Sequence, residues 1–331
     1  MDLDLVFLGT SASAPTASRA PSATLIRRGG ERVLVDCGEG TQRQLLRSDA
    51  GLVDVDFILL THLHADHVLG LPGLLKTYSL RGRDTALTLY GPRGTEALIG
   101  SLRRVVGALS YPFEIVELRS SDRVPCVDGA YHPFRVEHGA DAFGYALVEQ
   151  ERPGHFDVEQ ADRLGVEPRA RGLLQRGEAV TLPDGTVVRP EEVLGEARRG
   201  RRLVLTGDTA ACPAVVEAAQ GADVLVHEAT FASADRVRAR ETSHSTAAEA
   251  ALTAAAAGVE LLVLTHFSGR YPARVLLDEA RAVFGSTVAA RDFDLLTIPF
   301  PERGAPVHAP RGARTGREPT SGRASTLGLD L

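Results

Sequence analysis

The run Asp56-Phe57-Ile58-Leu59-Leu60-Thr61-His62-Leu63-His64-Ala65-Asp66-His67 decides the fold. Its first half, residues 56–60, is a short apolar stretch of the kind buried on both faces of a sheet. It stops at Thr61, and the next six residues hold four side chains able to bind metal. In extended backbone, residues two apart point the same way, so His62 and His64 can share one cation. Asp66 and His67 fall where a helix should begin, and can reach a second. Imidazole and carboxylate are zinc ligands, at about 2.0–2.2 Å per bond. A chance cluster on a polar loop would account for one histidine, not for this density.

Outward from that run, residues 3–8 read as a strand ending at Gly9, and 23–27 and 32–36 as two more around the turn Gly29-Gly30. Helices are expected at 41–47, 69–79 and 94–109, and strands at 113–117, 135–137 and 144–148. The second half repeats this rhythm. Strands are expected at 202–206, 223–226, 261–264 and 294–298, and helices at 213–219, 246–257 and 272–284. Mixed strands alternating with helices predict an α/β (α+β) fold, sheets covered by helices. Four expected strands end at polar residues: Asp36, the cluster after Thr61, Asp208 after Thr206, and His266 after Thr265. Sites gather where strand ends meet loops. His138 follows a fifth. Taken singly, each of these is more often structural than catalytic. As a set they provide for two ions with an open position, which zinc catalysis needs, and Asp208 has a carboxylate that can bridge them.

Composition narrows the class. Apolar residues make up 44% and charged residues 24% of 331, ordinary values for a globular protein with a large core. No run of 18 apolar residues is free of charge, so no membrane helix is expected. Met1-Asp2-Leu3-Asp4 has acids where a secretory signal would be basic, and a cytoplasmic location is expected. Cys37, Cys126 and Cys212 are too scattered for a disulfide framework or a cysteine zinc site. A net charge of −6 gives no overall basic footprint, so the placement of the arginines must decide whether nucleic acid is bound. The rhythm breaks at 150–200, which is rich in Gly, Pro and charge and turns at Leu182-Pro183-Asp184-Gly185-Thr186. This reads as an arm inserted in a catalytic domain spanning 1–301. Residues 302–331, rich in Gly, Pro, Arg and Ser, read as a disordered tail.

His-x-His-x-Asp-His after a strand, a lone His138, Gly207-Asp208 at a strand end and a late Thr265-His266 together resemble the metallo-β-lactamase superfamily. The resemblance implies an αββα sandwich with metals at the sheet edges. It also implies two zinc ions. His62, His64, His138 and Asp208 would hold one, and Asp66, His67, Asp208 and His266 the other. Finer motifs are similar to those of the tRNase Z family: Asp36-Cys37-Gly38-Glu39-Gly40-Thr41-Gln42, His227-Glu228-Ala229-Thr230, His244-Ser245-Thr246, and Thr265-His266-Phe267-Ser268 with Arg270-Tyr271. That similarity implies a zinc-dependent endoribonuclease removing the 3′ trailer of precursor tRNA. Asp36 would orient a ligand histidine, Asp66 would take the proton of the attacking water, and Glu228 would orient His244 as an imidazolium beside the scissile phosphate. Without the motifs, Glu228 would be a solvated loop acid and His244 a neighbour of a helix cap formed by Ser245.

The arm fits the same family. Pro153-Gly154-His155-Phe156-Asp157 to Leu164-Gly165-Val166, then Gly177-Glu178 to Gly185, is similar to its tRNA-clamping arm. Arg163, Arg169, Arg171 and Arg176, with Arg198, Arg199, Arg201 and Arg202, concentrate basic charge that can grip phosphates without reading sequence. Arg19 and Arg270 are further RNA-contact candidates. The resemblance also implies a homodimer in which one subunit's arm serves the other's site. Two places depart from the family pattern. Glu167-Pro168-Arg169-Ala170-Arg171-Gly172 replaces a Gly-Pro-Leu element, and Pro15-Thr16-Ala17-Ser18-Arg19-Ala20 keeps the arginine of an early loop but has Ala17 and Ala20 for its Lys and Asn. Two rival readings are a small-molecule hydrolase of the superfamily, which needs neither arm nor His244, and a metal-free RNA-binding module, which would lack a ligand.

Overall fold

A computed structural model describes residues 2–312. The chain begins with β1 (Leu3–Gly9), β2 (Ala23–Arg28), β3 (Glu31–Val35), β4 (Phe57–Leu59), β5 (Leu87–Gly91) and β6 (Phe113–Glu117). It crosses to a second sheet with β7 (Val124–Cys126), β8 (Gly129–Arg135) and β9 (Phe143–Glu149). A small hairpin, β10 (Val180–Thr181) and β11 (Val187–Val188), belongs to the arm. The second sheet resumes with β12 (Arg202–Leu205), β13 (Val224–Glu228), β14 (Leu261–Thr265) and β15 (Thr287–Ala289). Finally β16 (Leu295–Ile298) and β17 (Val307–Ala309) return to the first. The strand orders are β17-β16-β1-β2-β3-β4-β5-β6 and β15-β14-β13-β12-β9-β8-β7.

The apolar strands alternate between two cores. Phe57 and Leu59 of β4 point between the sheets, while Ile58 and Leu60 point into the outer helices. Leu203 and Leu205 of β12 pack between the sheets and Val204 packs outward; β13 and β14 repeat this. A strand buried on both faces has no polar positions to spare, which is why these stretches read as unbroken apolar runs. The outer layers are α1 (Thr41–Arg47), α2 (Ala65–Val68), α3 (Leu71–Leu80) and α4 (Thr95–Val106) on the first sheet. After α5 (Val158–Arg163) and α6 (Arg171–Gln175) in the arm come α7 (Pro213–Ala218), α8 (Arg236–Glu241), α9 (Ala247–Ala257) and α10 (Ala273–Val283). Of these, α7, α9 and α10 cover the second sheet, which makes the whole an αββα sandwich.

Three expectations need correction. The expected disordered tail starts too early: Val307–Ala309 pairs with β16 and extends the first sheet. Residues 313–331 of that tail lie outside the described residues. Of the strand expected at 135–137 only Arg135 belongs to β8, which begins at Gly129, and Glu137 makes an isolated bridge to Ala210. The cap of α9 is Thr246, not Ser245: Thr246 Oγ1 accepts the Glu249 N–H at 3.2 Å, and the Glu249 carboxylate accepts the Thr246 N–H at 3.1 Å. Ser245 instead donates to the Thr209 carbonyl at 2.7 Å, tying the His244 loop to the end of β12.

The arm has its own small core of Ala161, Val166, Leu174, Val180, Val188 and Val193. Its stem is closed by reciprocal backbone bonds between Arg152 and Arg198, both 2.8 Å. A Cβ on Gly154 would lie 2.1 Å from the Gly195 carbonyl oxygen, so the stem's two limbs pass only with glycine there.

Candidate metal centre and active site

The ends of β3, β4, β12, β13 and β14 deliver the site. Asp36 follows β3; His62 and His64 follow β4 in extended backbone; Asp66 and His67 stand in α2. Asp208 follows β12, Glu228 ends β13, and His266 follows β14. His138 comes from the loop after β8, pinned where Glu137 bridges Ala210. The two sheets come together at Gly207, which has φ 61°. A Cβ there would lie 2.7 Å from Thr61 Cβ, so glycine is what lets Asp208 close on His62.

One oxygen, Asp208 Oδ2, sits among four imidazoles. It lies 3.8 Å from His62 Nε2, 3.7 Å from His138 Nε2, 3.3 Å from His67 Nε2 and 3.2 Å from His266 Nε2. Asp66 Oδ2 lies 3.6 Å from His67 Nε2 and 3.3 Å from His266 Nε2. His64 Nδ1 lies 3.1 Å from His138 Nε2. Ligands held tetrahedrally at about 2.0–2.1 Å from zinc stand roughly 3.3–3.4 Å apart, so these spacings suit a cation among them. Two donor groups share no residue, His62–His64–His138 and Asp66–His67–Asp208–His266, with Asp208 also close to the first, and two overlapping groups take in His244 and Glu228. His62 Nε2 and His67 Nε2 are buried with no hydrogen-bond partner, a costly arrangement unless an ion takes the lone pair.

The other ring nitrogens are committed. His67 Nδ1 donates to Asp36 Oδ2 at 2.7 Å. His62 Nδ1 donates to Thr61 Oγ1 at 3.0 Å, and Thr61 donates on to Asp36. His138 Nδ1 donates to the Ser243 carbonyl at 2.9 Å, and His266 Nδ1 to Thr230 Oγ1 at 3.0 Å. These bonds leave each Nε2 as the lone-pair face. Charge agrees with that reading. Burial opposes a proton on His67, yet Asp208 and Asp36 overcome it and raise its pKa well above the usual imidazole value. Burial lowers that of His62, assisted by His67. The pocket thus favours positive charge at its centre, which a divalent cation supplies in place of a proton.

Beside this cluster, His244 Nδ1 donates to Glu228 Oε1 at 2.7 Å. Glu228 is fully buried and its oxygens also accept from the Thr209 N–H at 2.8 Å, the Thr230 N–H at 3.2 Å and the Thr230 hydroxyl at 2.6 Å. Burial works against a charged His244, but Glu228 prevails, and the imidazole pKa rises to about 9. His244 lines a cleft of about 390 Å³ with Thr16, Phe231, Arg238 and Arg270. The cluster therefore pairs a cation pocket with an imidazolium at the mouth of a cleft, a combination that suits displacement at an anionic centre.

A family model described as the metallo-β-lactamase superfamily matches residues 18–266. A ribonuclease Z of Myxococcus xanthus is 47% identical over 306 residues, covering 91% of this chain and 99% of that protein. The chain belongs to the ribonuclease Z family. A ribonuclease Z of Haloferax volcanii is 45% identical over 309 residues, 91% of this chain and 96% of that one. The crystal structure of human tRNase Z, short form, aligns with a TM-score of 0.64 at 28% identity, over 89% of this chain and 99% of that chain.

Within this ribonuclease Z family member the candidate RNA contacts are dispersed. Arg270 is exposed at the His244 cleft. Arg19 lies over the Phe267 ring at 4.5 Å and donates to the Thr10 hydroxyl and the Ala290 carbonyl, so part of its guanidinium is engaged in holding the loop. In the arm, Arg169 pairs with Glu167, Arg171 with Asp162 and Arg176 with Glu178, which reduces their net field. Arg163 is exposed and has no ion pair among the described residues. The stem arginines are engaged to different degrees. Arg201 is 1% exposed and bonded to Glu149, Arg199 pairs with Asp223, and Arg198 pairs with Glu302. Arg201 is thus closed to a ligand, whereas Arg198 and Arg199 tie the stem to the sandwich while staying partly exposed. Sequence reading also passed over Ser13, whose N–H donates to Asp66 Oδ2 at 2.8 Å, and Ser243, which fixes His138. Both have a left-handed backbone, φ 59° and 55°, which no residue-type signal announces outside glycine.

Proposed function

We infer that the protein hydrolyses the phosphodiester joining the 3′ trailer of a precursor tRNA to its mature end, leaving a 3′ hydroxyl. The observation that carries this is the buried Glu228–His244 pair set against the seven-donor cluster, in a chain matched over nine-tenths of its length by ribonucleases Z. His62, His64, His138 and Asp208 would hold one zinc ion, and Asp66, His67, Asp208 and His266 a second. Bound there, the ions supply Lewis acidity at phosphoryl oxygens and lower the pKa of water towards about 7. Asp66 is held ionised: burial favours its neutral form, but hydrogen bonding from His266 and the charge of His67 outweigh burial and depress its pKa. It takes the proton as the water oxygen forms its bond to phosphorus. The P–O3′ bond breaks in line, and His244, its Nδ1–H fixed on Glu228, gives the Nε2 proton to the departing 3′ oxygen.

The arm would grip the tRNA body through backbone phosphates. Its stem leaves the sandwich at the end of β9 and the start of β12, while Asp208 stands at the other end of β12. An arm at that end is poorly placed for its own site, which supports a homodimer in which each arm serves the partner's site. No helix among the described residues is long and apolar enough to cross a membrane, in keeping with work on precursor RNA in the cytoplasm.

The test is incubation of zinc-loaded protein with a 3′-extended precursor tRNA, sizing of the products and detection of the 3′ hydroxyl. Cleavage at the end of the mature sequence is expected, with loss of both zinc and cleavage in His64→Ala and Asp208→Ala. Cleavage retained by either variant refutes the ligand assignment. Turnover of small phosphodiesters without any of precursor tRNA would favour a small-molecule hydrolase.

A further inference from the structure

The loop spanning residues 11–20 walls two clefts. Its outgoing limb, residues 12–16, lines the cleft that holds His244. Its returning limb, residues 17–20, lines a second of about 460 Å³, a volume that suits a nucleotide-sized ligand. Four arginines from separated parts of the chain line this second cleft: Arg19, Arg47 at the end of α1, Arg291, and Arg311 beyond β17. Among the described residues none of the four has a carboxylate within ion-pair distance, although the chain has a net charge of −6. Asp292 and Asp294 offset part of the charge on Arg19 without reaching ion-pair distance, and four cations around two such acids leave a cluster whose field attracts anions.

The cleft is also built around a ring. The Arg47 guanidinium lies over the Phe293 ring at 5.1 Å and the Arg311 guanidinium at 4.3 Å. It has φ 73°, a conformation unfavourable for a bulky L residue. Asp292 lines the same cleft, but its oxygens already accept from the Thr10 hydroxyl at 2.7 Å, the Ala20 N–H at 2.7 Å and the Gln44 amide at 2.9 Å. The acid thus holds the loop, while Arg291 makes no side-chain hydrogen bond or ion pair among the described residues.

We propose that Arg47, Arg291 and Arg311 around Phe293 form a phosphate-binding subsite for the single-stranded trailer, downstream of the scissile bond. This rests on the RNA-processing reading above. A strand leaving the His244 cleft crosses the 11–20 loop and enters the arginine cleft, where guanidinium groups meet its phosphates and a base can stack beside Phe293. The subsite reads charge, not sequence, so it would favour trailers long enough to reach it.

The test replaces Arg47, Arg291 and Arg311 with Gln together. A control of equal charge, Arg104→Gln with Arg119→Gln and Arg123→Gln, lies towards the opposite edge of the first sheet. Precursor tRNAs with one-nucleotide and ten-nucleotide trailers are compared, alongside polarisation binding of a labelled ten-nucleotide single-stranded RNA. The expected result is a KM raised roughly tenfold for the long trailer, no change for the short one, and a log–log salt slope of RNA binding smaller by about 2. An equal rise for both trailers, the same loss in the control, or no change overturns the proposal. AMP titrated calorimetrically separates the other source of such a phosphate: binding lost in the variant with no dependence on trailer length would make this a free-nucleotide site and overturn the trailer assignment. Should the wild-type protein cleave no precursor tRNA, the RNA-processing reading fails, and the polarisation assay still judges the subsite.

Discussion

His244 and Glu228 show how one contact sets a role. With its Nδ1–H on a fully buried carboxylate, His244 keeps its proton at neutral pH, and its pKa is raised to about 9. A raised pKa means the charged form is present below that value and is lost as pH climbs through it. Turnover limited by this group should therefore fall on the alkaline side. In Glu228→Gln the stabilising charge is gone, so the alkaline limb of kcat should move down by about one unit or more. A limb that stays in place would show that His244 is not the group titrating. His244→Ala should retain its bound metal while turnover drops by about 10²-fold or more, in the range of a lost general acid; metal analysis and steady-state rates check both halves. At this scale much was legible. The seven donors singled out by residue type and spacing lie around one pocket. Thr61 and Thr230, which fix His62 and His266, were part of quoted stretches but had no assigned part, because a threonine hydroxyl at a strand end has many ordinary uses. Ser13 and Ser243 act through backbone atoms, which leave no mark on side-chain patterns.

Among elements, the apolar strands beside the site were the easiest to read. Residues 57–60 and 203–205 are buried on both faces, so hydrophobicity alone outlines them. β17 was missed for the opposite reason. Val307–Ala309 is three residues on a sheet edge, next to Pro and Arg, and its pairing to β16 is a long-range matter no local window sees. Residues 150–200, read as an inserted arm from their composition, fold round six apolar residues spaced across residues 161–193, an internal order that composition did not announce. Because that small core is separate, removal of residues 153–200 should spare the sandwich. The shortened protein is expected to show a KM for precursor tRNA higher by about tenfold or more, with small-phosphodiester hydrolysis intact. Loss of both activities would mean that the arm supports the fold itself.

At the scale of the whole molecule, the two sheets are fastened at opposite ends by different means. At one end are the donors. At the other, Glu149 at the end of β9 binds Arg201 at 2.6 and 2.9 Å and Arg28 of β2 at 2.6 Å, and Arg201 continues to the Ile298 carbonyl of β16 at 2.8 Å. Burial resists the carboxylate charge, but Arg201 overcomes it and lowers the Glu149 pKa. The contribution is then present above the unfolded value of about 4.3 and fades as pH falls through the lower folded one. Glu149→Ala strands two buried guanidinium groups and should cost about 3–5 kcal/mol in denaturant unfolding. The penalty is expected to be constant above about pH 5 and to shrink in acid; a penalty under about 1 kcal/mol, or one indifferent to acid, would show that the triad does not clamp the sheets. None of this was visible in the sequence, where Glu149 and Arg201 stand 52 positions apart.

Asp36, Ser13, Ser243 and His266 all hold positive φ angles, and each either supplies a donor or steadies one. Such backbone is tolerated because the surrounding layers impose it, so the pocket takes its shape from the sandwich and does not wait for its cargo. A container shaped in advance selects by fit as well as by charge. Imidazole and carboxylate accept manganese, iron or cobalt as well as zinc, and raw affinity among them follows a general chemical order, so geometry and supply have to decide between them. A site of fixed geometry would then favour the ions that accept its donor spacing, and cellular supply would choose among those.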